Sequence, residues 1–480
     1  MKHYTWTLLF ALVTACSPVE VGGNGGSDAG NGGDDGGGGD GGGGSDAGPG
    51  LVTARVLNQA VMPLPGAKVA FSKADGSLIS VKTTDANGEA SETMDAGGMV
   101  SAGLVIPSSD GTQYQVMTVV GAMPGDVIEF GPRTKAVTYN QLGSADFRFA
   151  SDWSNAKSYT AGTGCSNASV PAPQPAGIST TYYFSDDRCS RGQTRYDLLG
   201  YAFTDSNQTA VGAWTQILDV QANNPGTYAS EAWNANFDQL NAFMTKLPFD
   251  AKVELSAQML HNGVTYEPSG YNRQVSVSAG GNAAYAIPMP SGFSTKTLLD
   301  FSANSNDGTH FIGYAEMRDA NNSTLTVDTS TLGYPQINDV TLDTSVAGRP
   351  AVTFNPDGAP PESAEATLAF TNWFDPSGGS TDVWQWIVIA PPGAKSPLRA
   401  PALPNDFVVD PSGALPRWPA PPNLSVGALV AGMLEIGDLN GWDEVRTKRG
   451  MSIVGDDSSL GVDAPVGAKS IISAGGIVPN

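Results

Sequence analysis

Cysteine and histidine are scarce in this 480-residue chain. Cysteine occurs only as Cys16, Cys165 and Cys189, and histidine only as His3, His261 and His310. No short Cys/His ligand spacing exists, which argues against a zinc centre, and a serine or cysteine triad has few bases to draw on. Positive charge is scarce as well. Against 47 Asp and Glu there are 25 Lys and Arg, a formal net charge of −22. Such a chain repels phosphate backbones, and no Lys/Arg cluster with interleaved aromatics reverses this locally, so nucleic acid is excluded as a partner. Beyond the first 15 residues no apolar run is long enough to span a bilayer. Catalytic signatures are missing too: there is no Gly-x-Ser-x-Gly, no His-Glu-x-x-His, no Gly-x-x-x-x-Gly-Lys-Ser/Thr and no dinucleotide glycine fingerprint. Paired carboxylates remain open, because a glycoside hydrolase needs only two acids at a set separation.

What is present starts at the N-terminus. Lys2 and His3 are followed by an apolar run from Trp6 to Val13 and then by Val13-Thr14-Ala15-Cys16. This resembles the bacterial lipoprotein signal, in which residues 1–15 would be removed and Cys16 would carry the acyl chains. Ser17 after it resembles the outer-membrane sorting pattern rather than the aspartate of inner-membrane retention. Residues 17–50 are almost entirely Gly, Asp, Asn, Ser and Ala. Val19 and Val21 aside, they have no sizeable apolar side chains to offset the entropy of ordering, so they read as a tether with a root-mean-square span of roughly 30–35 Å.

If Cys16 is acylated, Cys165 and Cys189 form an even pair in an oxidising compartment, and a disulfide between them is expected. It would close a loop of about 25 residues and stabilise the fold by roughly 3.5 kcal/mol before native strain is subtracted.

From Leu51 the pattern turns to period-two alternation: 52–57, 63–71 and 80–84 read as strands, with Asp85-Ala86-Asn87-Gly88 as a tight hairpin turn. Asp85 and Glu89 suggest part of a calcium loop, but the remaining ligand spacing is missing and a turn is the better account. The Pro63-Leu64-Pro65-Gly66-Ala67-x-Val69 turn and Thr84-Asp85-x-Asn87-Gly88 resemble the carboxypeptidase regulatory-like domain, a small transthyretin-like β-sandwich. That resemblance covers about 51–135 and implies a non-catalytic scaffold or adhesion module. It departs from the family at Ala54 and Ala90, where a glycine and an aromatic would stand.

Further short alternating runs fall at 136–140, 198–204, 252–258, 274–278, 324–328, 366–370, 383–389 and 426–434, with no helical crossovers between them. The fold class is therefore all-β: a lipidated flexible tether (16–50), the small sandwich (51–135), a β-rich domain with the disulfide (136–345) and a β-rich C-terminal domain (346–480). A weak likeness between Gly200–Asn207 and Gly313–Asn321 suggests two lobes in this larger region. One helix is expected at 231–247, where Trp233, Phe237, Leu240, Met244 and Leu247 recur at intervals of three and four.

Alternation at 383–389 puts Val383, Gln385, Ile387 and Ile389 on one face and Trp384, Trp386 and Val388 on the other. Trp384 and Trp386 either line a sugar-binding platform or cap the core beneath the proline-rich stretch that follows, with core the expectation. No cofactor or metal is expected. Three functions fit, in this order: a membrane-anchored surface lipoprotein with a structural or adhesion role; a glycan- or peptide-binding surface lipoprotein; a tethered glycoside hydrolase. The expected partners are the membrane, through the lipid, and extracellular polysaccharide or other surface proteins.

Overall fold

A computed structural model describes residues 48–58, 60–108, 111–131, 141–148, 155–163, 166–171, 178–183, 195–204, 210–219, 227–229, 236–261, 264–266, 273–374, 382–408, 425–437, 439, 441–448 and 464–477. Cys16, Cys165, Cys189, most of the tether and the expected strand at 136–140 lie outside these residues. The described residues are nearly all β-structure.

The first segment holds β1 (Gly50–Val56), β2 (Lys68–Ser72), β3 (Leu78–Thr83), β4 (Glu89–Met94), β5 (Gly98–Ser108), β6 (Gly111–Ala122) and β7 (Val127–Phe130). They form two facing layers, β4-β1-β7 and β3-β2-β5-β6. Alternate residues of each strand point inward, so Val52, Ala54, Val56, Val69, Phe71, Val100, Ile128 and Phe130 are fully buried in one cluster. Burial of each larger side chain contributes roughly 1.5–3 kcal/mol.

The Asp85–Gly88 turn is present, but it does not close a hairpin. Gly88 has φ +72°, where an added Cβ would lie 2.6 Å from the Val56 carbonyl oxygen. Asp85 Oδ1 accepts from the amides of Asn87 and Glu89 at 2.8 and 3.0 Å. Yet β3 pairs with β2 and β4 pairs with β1, so the turn carries the chain from one layer to the other. Asn-Gly chemistry specifies the local reversal and not the partner of the next strand.

The second segment contributes β8 (Gln141–Arg148), β9 (Ser158–Thr163), β10 (Ser166–Pro171), β11 (Ile178–Tyr183), β12 (Arg195–Phe203), β13 (Ala210–Asp219) and β14 (Thr227–Ala229), in sheets of order β10-β9-β12-β13 and β11-β8-β14. Next come β15 (Phe237–Thr245), β16 (Ala251–His261), β17 (Val264–Tyr266), β18 (Arg273–Val277), β19 (Ala283–Pro290), β20 (Lys296–Ser305), β21 (His310–Asp319) and β22 (Thr324–Asp328). The small sheet β19-β15-β22 packs over β16, β20 and β21 around Leu240, Met244, Leu255, Phe301 and Tyr314.

The helix expected at 231–247 is a correction. Residues 237–245 are β15, and 231–235 lie outside the described residues. Leu240 and Met244 are four apart, an even spacing that suits one face of a strand as well as a helix. Ala242 between them is fully buried, which completes a period of two. Hydrogen bonding to β19 on one side and β22 on the other fixes the strand.

The last segment adds β23 (Ile337–Asp343), β24 (Ala351–Pro356), β25 (Ala366–Phe374), β26 (Val383–Ala390), β27 (Leu398–Arg399), β28 (Ser425–Ile436), α1 (Trp442–Lys448) and β29 (Lys469–Ile477). Here the three segments join. A 13-stranded sheet runs β17-β16-β20-β21-β29-β28-β25-β26-β6-β5-β2-β3, with β18 beside β16. Its pairing passes across the sequence positions 135/136 and 345/346. One face of its middle packs on β4-β1-β7, and the other on β23-β24-β27 and the stretch 398–408.

Candidate functional site

The join between β6 and β26 is where the strongest chemistry gathers. These strands are parallel, from Val383 opposite Gln113 to Ile389 opposite Val119. Trp373, Trp384 and Tyr114 stand in one row across three strands. The Trp384 and Tyr114 rings stack with centroids 5.5 Å apart and planes at 20°. On the reverse face the amide of Gln115 donates to Gln385 Oε1 at 2.6 Å, a buried pair that satisfies both side chains across the join.

Trp384 and Trp386 are therefore interior. They are 4% and 0% exposed, and the Trp386 indole N–H donates to Thr118 Oγ1 at 3.4 Å. The alternation read from sequence holds, since Ile387 and Ile389 enter one cluster and Trp384, Trp386 and Val388 the other. The outward sugar platform is corrected by this burial. Leu398, Ala400, Leu403, Phe407 and Val408 join the same cluster from the proline-rich stretch. That stretch is fastened to the first segment: Lys68 Nζ meets Asp406 Oδ2 at 2.7 Å, Ala402 N donates to the Gly76 carbonyl at 2.8 Å, and Arg349 Nη2 donates to the Asp75 carbonyl at 2.9 Å.

A second fastening lies near α1. Arg446 Nε donates to Asp126 Oδ2 at 2.7 Å and Nη2 to Oδ1 at 3.0 Å, a two-pronged pair with side chains 7% and 9% exposed. Asp443 Oδ1 and the Met123 amide complete the network, each at 2.7 Å. Charge pairs this dry are retained only with full hydrogen bonding, which this one has.

A polar cluster lies on the core-facing side of β21, at the seam between the covering sheets β19-β15-β22 and β23-β24-β27. Tyr314 donates to Glu316 Oε2, and Arg318 Nε sits 3.6 Å from Glu316 Oε1. Tyr334, from the link between β22 and β23, donates to Glu435 Oε2 at 3.0 Å and packs against both apolar clusters. Burial first, then the neighbouring carboxylates, push the Tyr314 and Tyr334 hydroxyls well above the usual phenol range. The sequence did carry a signal for this cluster. In the stripe Ile312, Tyr314, Glu316, Arg318, the charges fall on the face that the apolar residues direct inward.

Two carboxylates meet on the opposite face of the same sheet. Asp300 on β20 stands opposite Ser256, and Glu254 opposite Ser302, which makes the two acids diagonal neighbours. Burial, with the Glu254 charge adding to it, pushes Asp300 up to about 7. The folded state thus holds a proton that the unfolded chain releases above about 3.9, so stability falls as pH rises from there to about 7. The full shift corresponds to about 4 kcal/mol, and residual solvent contact at Asp300 reduces this to roughly 2 kcal/mol. Asp300→Asn should remove that loss: about a third of it is already incurred at pH 5, so in urea unfolding at pH 5 and pH 8 wild type should weaken by roughly 1.3 kcal/mol more than the variant. Equal pH slopes would contradict the assignment.

The two later histidines are held by structure. His261 Nδ1 bonds the Phe293 carbonyl and its ring stacks on Phe293 at 4.3 Å, while His310 bridges Thr309 Oγ1 and Asn338 Oδ1 at 2.8 and 3.0 Å. No group of three or more His, Cys, Asp or Glu residues able to hold a metal occurs among the described residues.

No protein-family model matches this chain, and no curated protein does. Among solved structures it is similar to the Bacillus anthracis TIE protein, at 10% identity and TM-score 0.15, over 58% of this chain and 50% of that one. The match thus spans half the length of the TIE protein. BcpA, the major pilin subunit of Bacillus cereus, is 11% identical at TM-score 0.14, over 58% of this chain and 98% of that one. The shaft pilin SpaA of Lactobacillus rhamnosus GG is 7% identical at TM-score 0.14, over 38% and 99%. These similarities lie far below the level at which two chains share an arrangement, and the architecture of this chain rests on its own strand pairing.

Proposed function

We propose that this chain is an exported, lipid-tethered protein of the outer membrane or cell surface, with a structural or adhesion role and no catalysis. One observation carries the reading: the parallel β6–β26 pairing makes the first and last segments parts of one sheet. Tension entering from the tether at Gly50 passes from β1 through the apolar core it shares with β2, β5 and β6, and from there along ladders of hydrogen bonds and a buried aromatic row to the C-terminal strands, not through a loose linker. The two facing layers of β1–β7 are the architecture that the resemblance to the carboxypeptidase regulatory-like domain implies. A Cys165–Cys189 disulfide would add a covalent staple to the middle segment.

Cys16 is the residue on which location turns. Cys16→Ala should abolish acylation and move the protein from the detergent phase to the aqueous phase, or leave the precursor unprocessed. Detergent partitioning of wild type and variant decides this, and an unchanged membrane fraction would sink the lipid anchor.

A further inference from the structure

On the face of the β16–β20 ladder turned away from the apolar cluster, two carboxylates stand without a counter-charge. Glu254 lies opposite Ser302 and Ser256 opposite Asp300, so four oxygen-bearing side chains mark the corners of a square, acids on one diagonal and hydroxyls on the other. Opposite Cβ atoms in such a ladder are roughly 5 Å apart and diagonal ones roughly 7–8 Å, which lets all four side chains reach a common point. None of the four makes a hydrogen bond or ion pair, and Ser302, only 4% exposed, is a buried hydroxyl left without a partner. Lys252, two residues before Glu254 on the same face, is exposed and pairs with neither acid. Like charges this close repel each other, and burial adds to the cost.

The square is open to solvent. Glu254, Ser256 and Asp300 are each partly exposed, and no oxygen of the four side chains is closed off. On the β18 side Gln274 stands opposite Glu254 and Ser276 opposite Lys252, and Lys252, Gln274 and Ser276 are all exposed, so water and small ions reach the square along the sheet face.

We propose that Glu254, Ser256, Asp300 and Ser302 bind a divalent cation, calcium. Two carboxylates neutralise the double charge of the ion, which replaces their mutual repulsion with attraction to a shared partner. Every donor is an oxygen and no Cys or His stands in the square, so the set suits a hard cation rather than zinc or copper. Calcium accepts an irregular shell of oxygens at about 2.3–2.6 Å, which carboxylates, hydroxyls and water supply here, whereas magnesium demands a tighter octahedron. With only two acids, the affinity belongs with that of extracellular calcium modules, a Kd of about 0.1–1 mM.

The test combines calorimetric calcium titration with thermal unfolding of the full mature chain at pH 8, where Asp300 is largely ionised. Unfolding is measured in chelator, in calcium chloride, and in sodium chloride of equal ionic strength. Calcium at about 10 mM should raise the wild-type unfolding temperature by roughly 2–4 °C, and sodium chloride should not reproduce the rise. Asp300→Asn and Glu254→Gln should each weaken the titrated affinity at least tenfold and lose that rise. In chelator both should unfold at or above the wild-type temperature, because each removes the repulsion. This reversal of order separates a lost ligand from a lost fold. Ser302→Ala should weaken binding about threefold, and it carries the test if an acid variant fails to fold. No calcium response, a response matched by sodium chloride, tighter binding of magnesium than of calcium, or a response that persists in the variants, as binding to the Asp-rich tether would, each overturns the proposal.

Discussion

Replacing Arg446 with methionine should destabilise the folded chain by about 3–5 kcal/mol, because it strands the Asp126 carboxylate in a dry site. Both oxygens of Asp126 are bonded by the guanidinium, and its Oδ2 also accepts from the Met123 backbone amide. The pair joins positions 320 residues apart, so its loss weakens the attachment of α1 beneath β7 rather than either element alone. Removing both charges should restore much of the loss: Asp126→Leu combined with Arg446→Met should be clearly more stable than Arg446→Met alone. Urea unfolding of the four proteins in the cycle measures this. Additive losses would show that the pair is not a coupled unit.

Trp386→Ala should be at least as damaging. The side chain is fully buried, and it stands opposite Val116 of β6, at the join itself. Truncation leaves a cavity the size of an indole in a cluster shared by both ends of the chain, for which about 3–5 kcal/mol is the usual cost. It also leaves Thr118 without the indole donor, though Ser101 Oγ remains 2.9 Å from the Thr118 hydroxyl. Trp386→Phe should keep most of the stability, because ring volume matters more here than the weak 3.4 Å hydrogen bond. Thermal unfolding of both variants checks the order, and a Trp386→Ala protein as stable as wild type would contradict the packing account.

The strands were legible because a half-buried strand repeats every two residues. The runs at 252–258, 324–328, 366–370, 383–389 and 426–434 fall within strands β16, β22, β25, β26 and β28, and 52–57 overruns β1 by one residue. Which strands pair was not legible, since β6 meets β26 across 270 positions and periodicity is silent about distance along the chain. The same silence misled the reading at Asp85–Gly88, where a correctly placed turn leads to a different sheet. At 240 and 244, helical and extended periods coincide, and only lateral hydrogen bonding separates them. The two tryptophans of β26 carried the right face and an open environment, because the residues that cover them lie in 398–408, a stretch without periodicity. Glu316 and Arg318 were visible as charges on an inward stripe, but their meeting with Tyr334 and Glu435 depends on a seam that only the assembled sheets create.

The central claim is that the first segment and the C-terminal strands form one cooperative unit through β6 and β26. Native-state hydrogen exchange tests it most directly, by comparing the opening free energies of amides in β1, β6, β26 and β28. The account predicts that protected amides in all four open at a common free energy, and that Trp386→Ala lowers them together. Amides of β1 and β6 that open at a distinctly lower free energy than those of β26 and β28 would show a separately folding module and contradict it.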